Sequence, residues 1–155
     1  MSPWIRFDPD LAPVPHAADS LADALREQLS VLSTLVAPDG GVKRLELLPA
    51  LTTIVRGFGL TVFERDSFAS NEVDLIDTRN RIGVSLQAGR ARTNNGALLS
   101  VLAAAAAPDV DWLIILAPSR YKSGAAAVPV TENLREMASE AGIRLAVMGV
   151  LVLAY

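Results

Sequence analysis

Two short segments carry residues that could do chemistry together: EVDLIDT, 72–78, and IGVSLQAGR, 82–90. Both alternate as strands do, so Glu72, Asp74, Ile76 and Thr78 share one face of the first, and Gly83, Ser85 and Gln87 share one face of the second. A tight turn at Arg79-Asn80 pairs Thr78 with Arg81, which sets Asp74 opposite Ser85 and Glu72 opposite Gln87. Directly opposed side chains have Cβ atoms roughly 4.5–5.5 Å apart. A carboxylate, a hydroxyl and an amide therefore converge, while Val73, Leu75, Val84 and Leu86 turn to the core and Asp77 faces the other way. Two readings follow: a polar strand face exposed to water, or a site where a carboxylate and neutral oxygens hold a hard cation against a phosphate.

The surrounding elements set the frame. Residues 1–16 hold four of the nine prolines and read as an irregular arm before a single domain, 17–155. Leu21, Leu25, Leu29, Leu32 and Val36 recur at helical spacing, with Asp19 or Ser20 as cap and PDGG as stop. Residues 42–57 are helical in pattern, with Pro49 starting or kinking the second half. The period then changes: residues 60–66, 72–78 and 81–89 read as three consecutive strands joined by SFASN and TRNR. A helix opens after Thr93, Asn94 and Asn95 and stops at Pro108. DWLIILAP is a short apolar strand buried on both faces. Thr131 caps a last helix, and residues 143–155 close the chain as a long strand. The order α-α-β-β-β-α-β-α-β implies an α/β fold, a mixed sheet flanked by helices.

With these segments the chain resembles the restriction-endonuclease-like, PD-(D/E)XK, nuclease superfamily. It is most similar to the type II restriction enzymes whose second half-motif ends in Glu-x-Gln. The resemblance spans roughly residues 45–118. It includes the helix ending at Gly57-Phe58-Gly59, the VDL and VSLQAGR strands, the helix after Thr93 and the LIILAP strand. The resemblance implies Mg²⁺-dependent cleavage of DNA, the metal polarising the phosphate and helping to ionise water. Asp74 then matches the metal-binding aspartate and Gln87 the final position, while Ser85 stands where the family has glutamate. Glu72 is the nearest acid able to replace the lost charge, and Glu46 matches an additional helix acid of some members. A neutral hydroxyl in place of a carboxylate implies a degenerate site, weak or inactive as a nuclease. The alternative is a non-catalytic module for DNA binding or assembly on the same fold.

Charge and composition narrow the partners. A chain of 155 residues, half of them apolar, can bury a core of its own. Its net charge of −3 excludes a generally basic surface. Residues 78–108 nevertheless lack any acid while holding Arg79, Arg81, Arg90 and Arg92, and residues 112–131 likewise hold only Arg120 and Lys122. These six are the candidate phosphate contacts, their alternative role being ordinary solvation of element ends. The uncharged GVLVLAY predicts a strand that is either central in the sheet or paired with a second chain, and the second case implies a homodimer or larger assembly. Cysteine is absent, excluding disulfides, thiolate metal sites and cysteine nucleophiles. His16, the single histidine, sits in the arm, so no histidine-dependent mechanism is expected. Ser85 has neither a histidine base nor a nucleophile elbow, and Gly57-Phe58-Gly59 is no dinucleotide fingerprint. Trp4 and Trp112 read as packing residues. The N-terminus lacks a signal-peptide pattern, and residues 145–155 fall short of the ~20 apolar residues of a spanning helix. A cytoplasmic protein with no membrane partner is expected.

Overall fold

The structure is a computed structural model that describes residues 3–8, 10, 12–37, 44–63, 67–88, 95–140 and 142–155. Its centre is a mixed six-stranded sheet. In chain order the elements are β1 (Ile5–Arg6), α1 (His16–Ser33), α2 (Arg44–Val55), a 3₁₀ turn (Arg56–Phe58), β2 (Thr61–Val62), α3 (Phe68–Glu72), β3 (Leu75–Asp77), β4 (Ile82–Leu86), α4 (Gly96–Ala106), β5 (Trp112–Ala117), β6 (Arg120–Tyr121), β7 (Gly124–Ala125), α5 (Ala127–Ser139) and β8 (Gly149–Ala154). The strands lie in the order β1-β8-β5-β4-β3-β2, with β6 and β7 a separate hairpin.

Sequence pattern and topology agree in the middle of the chain. β2, β3 and β4 form an antiparallel meander, after which α4 and α5 cross over to add β5 and β8 in parallel. Two cores fill the two faces. Val101, Ala104, Leu113, Ile115, Val130, Leu134 and Val150 pack under α4 and α5. Leu21, Leu25, Leu47, Leu51, Val84, Leu86, Ile114, Leu116 and Leu151 pack under α1 and α2. β5 is the middle of both, and all six of its residues are buried. Each fully buried leucine or isoleucine side chain contributes about 1.5–3 kcal/mol. Among the described residues no helix is long and apolar enough to cross a membrane.

Several boundaries differ from the sequence expectation. The arm is not irregular throughout: β1 pairs antiparallel with β8, and Trp4, Ile5 and Phe7 are buried. α1 begins at His16 instead of Asp19, because the Pro15 carbonyl accepts the first helical N–H bonds, from Ala18 and Asp19. Asp19 is then inside the first turn, and its carboxylate accepts the Trp4 Nε1–H at 2.9 Å. SFASN is helical, not a turn, closed by the Val73 N–H on the Ala69 carbonyl at 2.8 Å. Glu72 therefore ends α3 and is not a strand residue. β2 ends at Val62, and residues 64–66 of its expected span lie outside the described residues. α5 starts four residues before Thr131, whose hydroxyl bonds back to the Ala127 carbonyl. Pro129 sits in the first turn, where a missing N–H costs nothing. β8 is shorter than expected, since residues 143–148 are not strand.

Two strand glycines are required by close approach. A Cβ on Gly83 would lie 3.0 Å from Val73 Cγ1 and 3.1 Å from Val110 Cγ1. A Cβ on Gly149 would meet the Trp112 ring at 2.7 Å. That ring makes a T-shaped pair with Trp4, with centroids 5.6 Å apart, and carries the Arg6 guanidinium over its face. It cannot yield without disturbing the β1 attachment. Gly149→Ala is expected to lower stability by about 1–3 kcal/mol, as overpacking does. Gly142→Ala, with nothing near its Cβ, is expected to stay within about 0.5 kcal/mol; urea denaturation of the two variants checks the contrast.

Candidate functional site

The β3–β4 ladder registers Leu75 with Val84, Ile76 with Gly83 and Asp77 with Ile82. The ladder stops at Leu75: Asp74, expected opposite Ser85, donates its N–H to the carbonyl of Val84, the partner of Leu75, so the count does not carry on to it. Asp77 closes the turn: its carboxylate accepts the backbone N–H groups of Arg79 and Asn80 at 3.0 and 3.1 Å. Such short-range bonding is how aspartate favours turns. Arg81 completes the turn with a left-handed backbone, φ 59°.

Ser85 and Gln87 face α4, and they are not a water-exposed polar face. Ser85 is 0% exposed, Gln87 6% and Ser100 of α4 0%. The Ser85 hydroxyl lies 2.8 Å from the Glu72 carbonyl oxygen and 2.8 Å from Ser100 Oγ. Gln87 Nε2 donates to Ser100 Oγ at 2.7 Å and to Ser85 Oγ at 3.1 Å. Ser100 Oγ also lies 3.2 Å from the Gly96 carbonyl. Gln87 has two amide protons and gives one to each hydroxyl, and the two hydroxyl protons serve the contact between the serines and the Glu72 and Gly96 carbonyls. Gln87 is fixed at its backbone too. Its N–H donates to the Leu116 carbonyl at 2.8 Å, and its carbonyl accepts the Tyr155 hydroxyl at 2.7 Å. Burial pushes the Tyr155 phenol well above the ordinary tyrosine range.

Asp74, 5% exposed, plays a different part. The chain leaves α3 and enters β3 at Val73-Asp74, where the regular ladder has not begun. Asp74 N–H donates to the Val84 carbonyl at 2.9 Å, and its carboxylate accepts the Leu86 N–H at 2.7 Å. The side chain thus supplies an acceptor that a further ladder residue would otherwise have offered. The same bend turns Val73 to the α4 side of the sheet, away from Leu75, Val84 and Leu86 with which it was expected to pack.

The other expected residues do not join this cluster. Glu72 contributes its main-chain carbonyl, so it is not opposed to Gln87 as a strand neighbour. Glu46 lies exposed in the first turn of α2, in the helical layer on the far face of the sheet from Ser85. Arg81 is a partner of Asp111, its Nε and Nη2 donating to the two carboxylate oxygens at 2.5 and 2.8 Å. That bond raises the arginine further above its already high range. Arg79 is exposed at the same end of the sheet. Arg120 and Lys122 are on the β6–β7 hairpin, beyond the opposite end of β5; Arg120 reaches the Ser123 carbonyl and Lys122 the Tyr121 ring. A strand the length of β5 separates the two pairs, roughly 20 Å at 3.3 Å per residue. Arg90 and Arg92 lie outside the described residues. His16 lies 3.1 Å from Ser20 Oγ at the start of α1.

The donor set does not fit Mg²⁺. Among the described residues no three histidine, aspartate or glutamate side chains gather where they could hold a metal ion, and the groups around Ser85 are hydroxyls, an amide and carbonyls, all committed to one another. Ser100 was missed from sequence, although its signal is plain in retrospect: it is the one hydroxyl in GALLSVLAAAA. Compared with family models, curated proteins and solved structures, the chain matches none.

Two consequences can be measured. Ser100→Ala leaves a Gln87 proton without its partner and is expected to cost about 1–3 kcal/mol. Combined with Ser85→Ala, the two losses are expected to be non-additive by at least about 0.5 kcal/mol in a double-mutant cycle. Tyr155 sets an alkaline limit. Its phenol is raised in the fold, so above the unfolded value near 10 the native state holds a proton that the unfolded chain releases. Stability is intact below that pH and falls as pH rises beyond it. Denaturation midpoints between pH 9 and 11 (roughly the range about an ordinary tyrosine pKa) should fall less steeply in Tyr155→Phe than in the natural protein.

Proposed function

We propose that this is a non-catalytic α/β protein on a restriction-endonuclease-like scaffold, in which the positions of a metal-dependent phosphodiesterase site serve to lock α4 to the sheet. One observation carries the reading: Ser85, Gln87 and Ser100 form a closed hydrogen-bond network with almost no exposure. A phosphodiester could not reach Ser85 without removing α4. Support for the scaffold comes from the antiparallel meander followed by α4 and the parallel β5.

Of the two non-catalytic roles, assembly is favoured over DNA binding. Arg81 is spent on Asp111, and Arg79 is a strand length away from Arg120 and Lys122. No continuous cationic track forms among the described residues. Phosphate recognition draws its affinity from several cations acting on one backbone.

Incubation of supercoiled plasmid and single-stranded DNA with Mg²⁺ or Mn²⁺ tests the reading. Neither the natural protein nor Asp74→Asn is expected to cleave. Ser85→Glu is expected to lose about 3 kcal/mol or more of stability by burying an uncompensated charge, and to gain no activity. Metal-dependent cleavage by the natural protein that Asp74→Asn abolishes would overturn the proposal, as would cleavage appearing in Ser85→Glu.

A further inference from the structure

Among the described residues, the β1 side of β8 is hydrogen-bonded only over its first half. β1 pairs with the first two residues of β8, Ile5 with Val150 and Arg6 with Gly149. Continuing that register would set Pro3 against Val152, and a proline has no N–H to complete the pair. β8 itself runs on to Ala154. Along a strand the N–H and C=O groups alternate between its two sides. Tyr155 N–H donates to the Ala117 carbonyl, and the Tyr155 carbonyl accepts the Ser119 N–H. Odd-numbered residues of β8 therefore bond to β5, and Val152 and Ala154 turn theirs outward. Among the described residues nothing is hydrogen-bonded to those outward groups.

Natural edges of this kind are guarded by charge, proline or a bulge. Here the strand is Gly-Val-Leu-Val-Leu-Ala, with no charged side chain. Alongside it runs a groove of about 220 Å³ between β8 and α5, lined by Val128, Thr131, Glu132, Arg135, Val152 and Ala154. Val128 is 61% exposed.

We propose that this edge pairs with the β8 edge of a second copy of the chain, antiparallel about a two-fold axis through Leu153. The backbone selects that register. In an antiparallel ladder, residues that exchange two hydrogen bonds must both point outward, so Val152 of each copy pairs with Ala154 of the other. Four bonds form and Leu153 meets its own counterpart. Pairing centred one residue earlier, on Val152, would set Ala154 against Val150, whose outward side β1 already occupies. A second copy also answers the charges. The axis stands perpendicular to the sheet, so the two α5 helices lie antiparallel on the same face. Glu132 and Arg135, one acid and one base three residues apart on the groove wall, then meet the oppositely charged residue of the other copy. An isologous contact needs this self-complementarity. The inference gives the assembly reading its partner and rests on that reading for its purpose, while its geometry is that of the edge alone.

Sedimentation equilibrium at about 1–100 µM, the concentration range where association constants of ordinary interfaces are read, tests it. The natural protein is expected at twice the 16.4 kDa chain mass. Ala154→Pro removes an outward N–H and leaves the bonds to β5 in place, so it is expected to give a monomer with unchanged circular dichroism. Glu132→Arg and Arg135→Glu are each expected to weaken the dimer by about tenfold or more, and the double reversal to restore it. A monomer at the highest concentration would overturn the proposal. So would a dimer indifferent to Ala154→Pro and to both charge reversals. A monomer that cleaves no DNA removes the β8 contact but leaves the non-catalytic reading standing; one that cleaves removes both.

Discussion

A strand in the middle of a sheet, covered by a helix, has no water to satisfy its side chains, and this constraint organises the region around β4. Ser85 has no exposure and Gln87 almost none, so each polar atom must find its partner in protein or leave an uncompensated cost of one to several kcal/mol. The partners come from three directions: a carbonyl at the end of α3, a hydroxyl one turn into α4, and a tyrosine hydroxyl from the end of β8. Apolar packing holds α4 against the sheet in a general way. The hydroxyl–amide network specifies where along the sheet it must sit, because a shift of one residue would break several directional bonds at once.

The same logic accounts for Asp74. A buried carboxylate is tolerated when it receives hydrogen bonds, and the Leu86 N–H supplies one at a place where the ladder has not yet begun. The residue that resembles a metal ligand in sequence thus works as a backbone surrogate at the transition from α3 to β3. Asp77, three positions on, performs a comparable service for the turn. One aspartate precedes the three-residue strand and the other ends it, and both stitch backbone.

Much of this was legible in the sequence where one period dominated over several residues. The alternation in IGVSLQ and the continuous apolar run of WLIILA gave the two central strands, and the length of TRNR gave the register between β3 and β4 correctly. Misreadings fell where local and tertiary preferences compete. Residues 68–72 hold no helical apolar stripe long enough to see, and only Ala69 and Val73 packing on the α4 side draws them into a helix. The arm was read from its prolines, whereas Trp4, Ile5 and Phe7 enter the core through contacts with residues more than a hundred positions away. The parity that brought Ser85 and Gln87 together was sound, yet parity along a strand says nothing about what lies above it. A single serine in the alanine-rich helix, Ser100, meets both polar side chains from above.

The pairing of β1 with β8 joins two stretches of chain more than a hundred positions apart. Until β8 is present, Ile5 has no strand to lie against, and the buried pair of tryptophans, whose second member rests on Gly149, cannot reach its final packing. Trp4, Ile5 and Phe7 therefore reach their final packing only after β8 has been made. Contacts of such long sequence separation are formed slowly. Vectorial emergence thus offers little help with this edge, and completion of the sheet waits on β8.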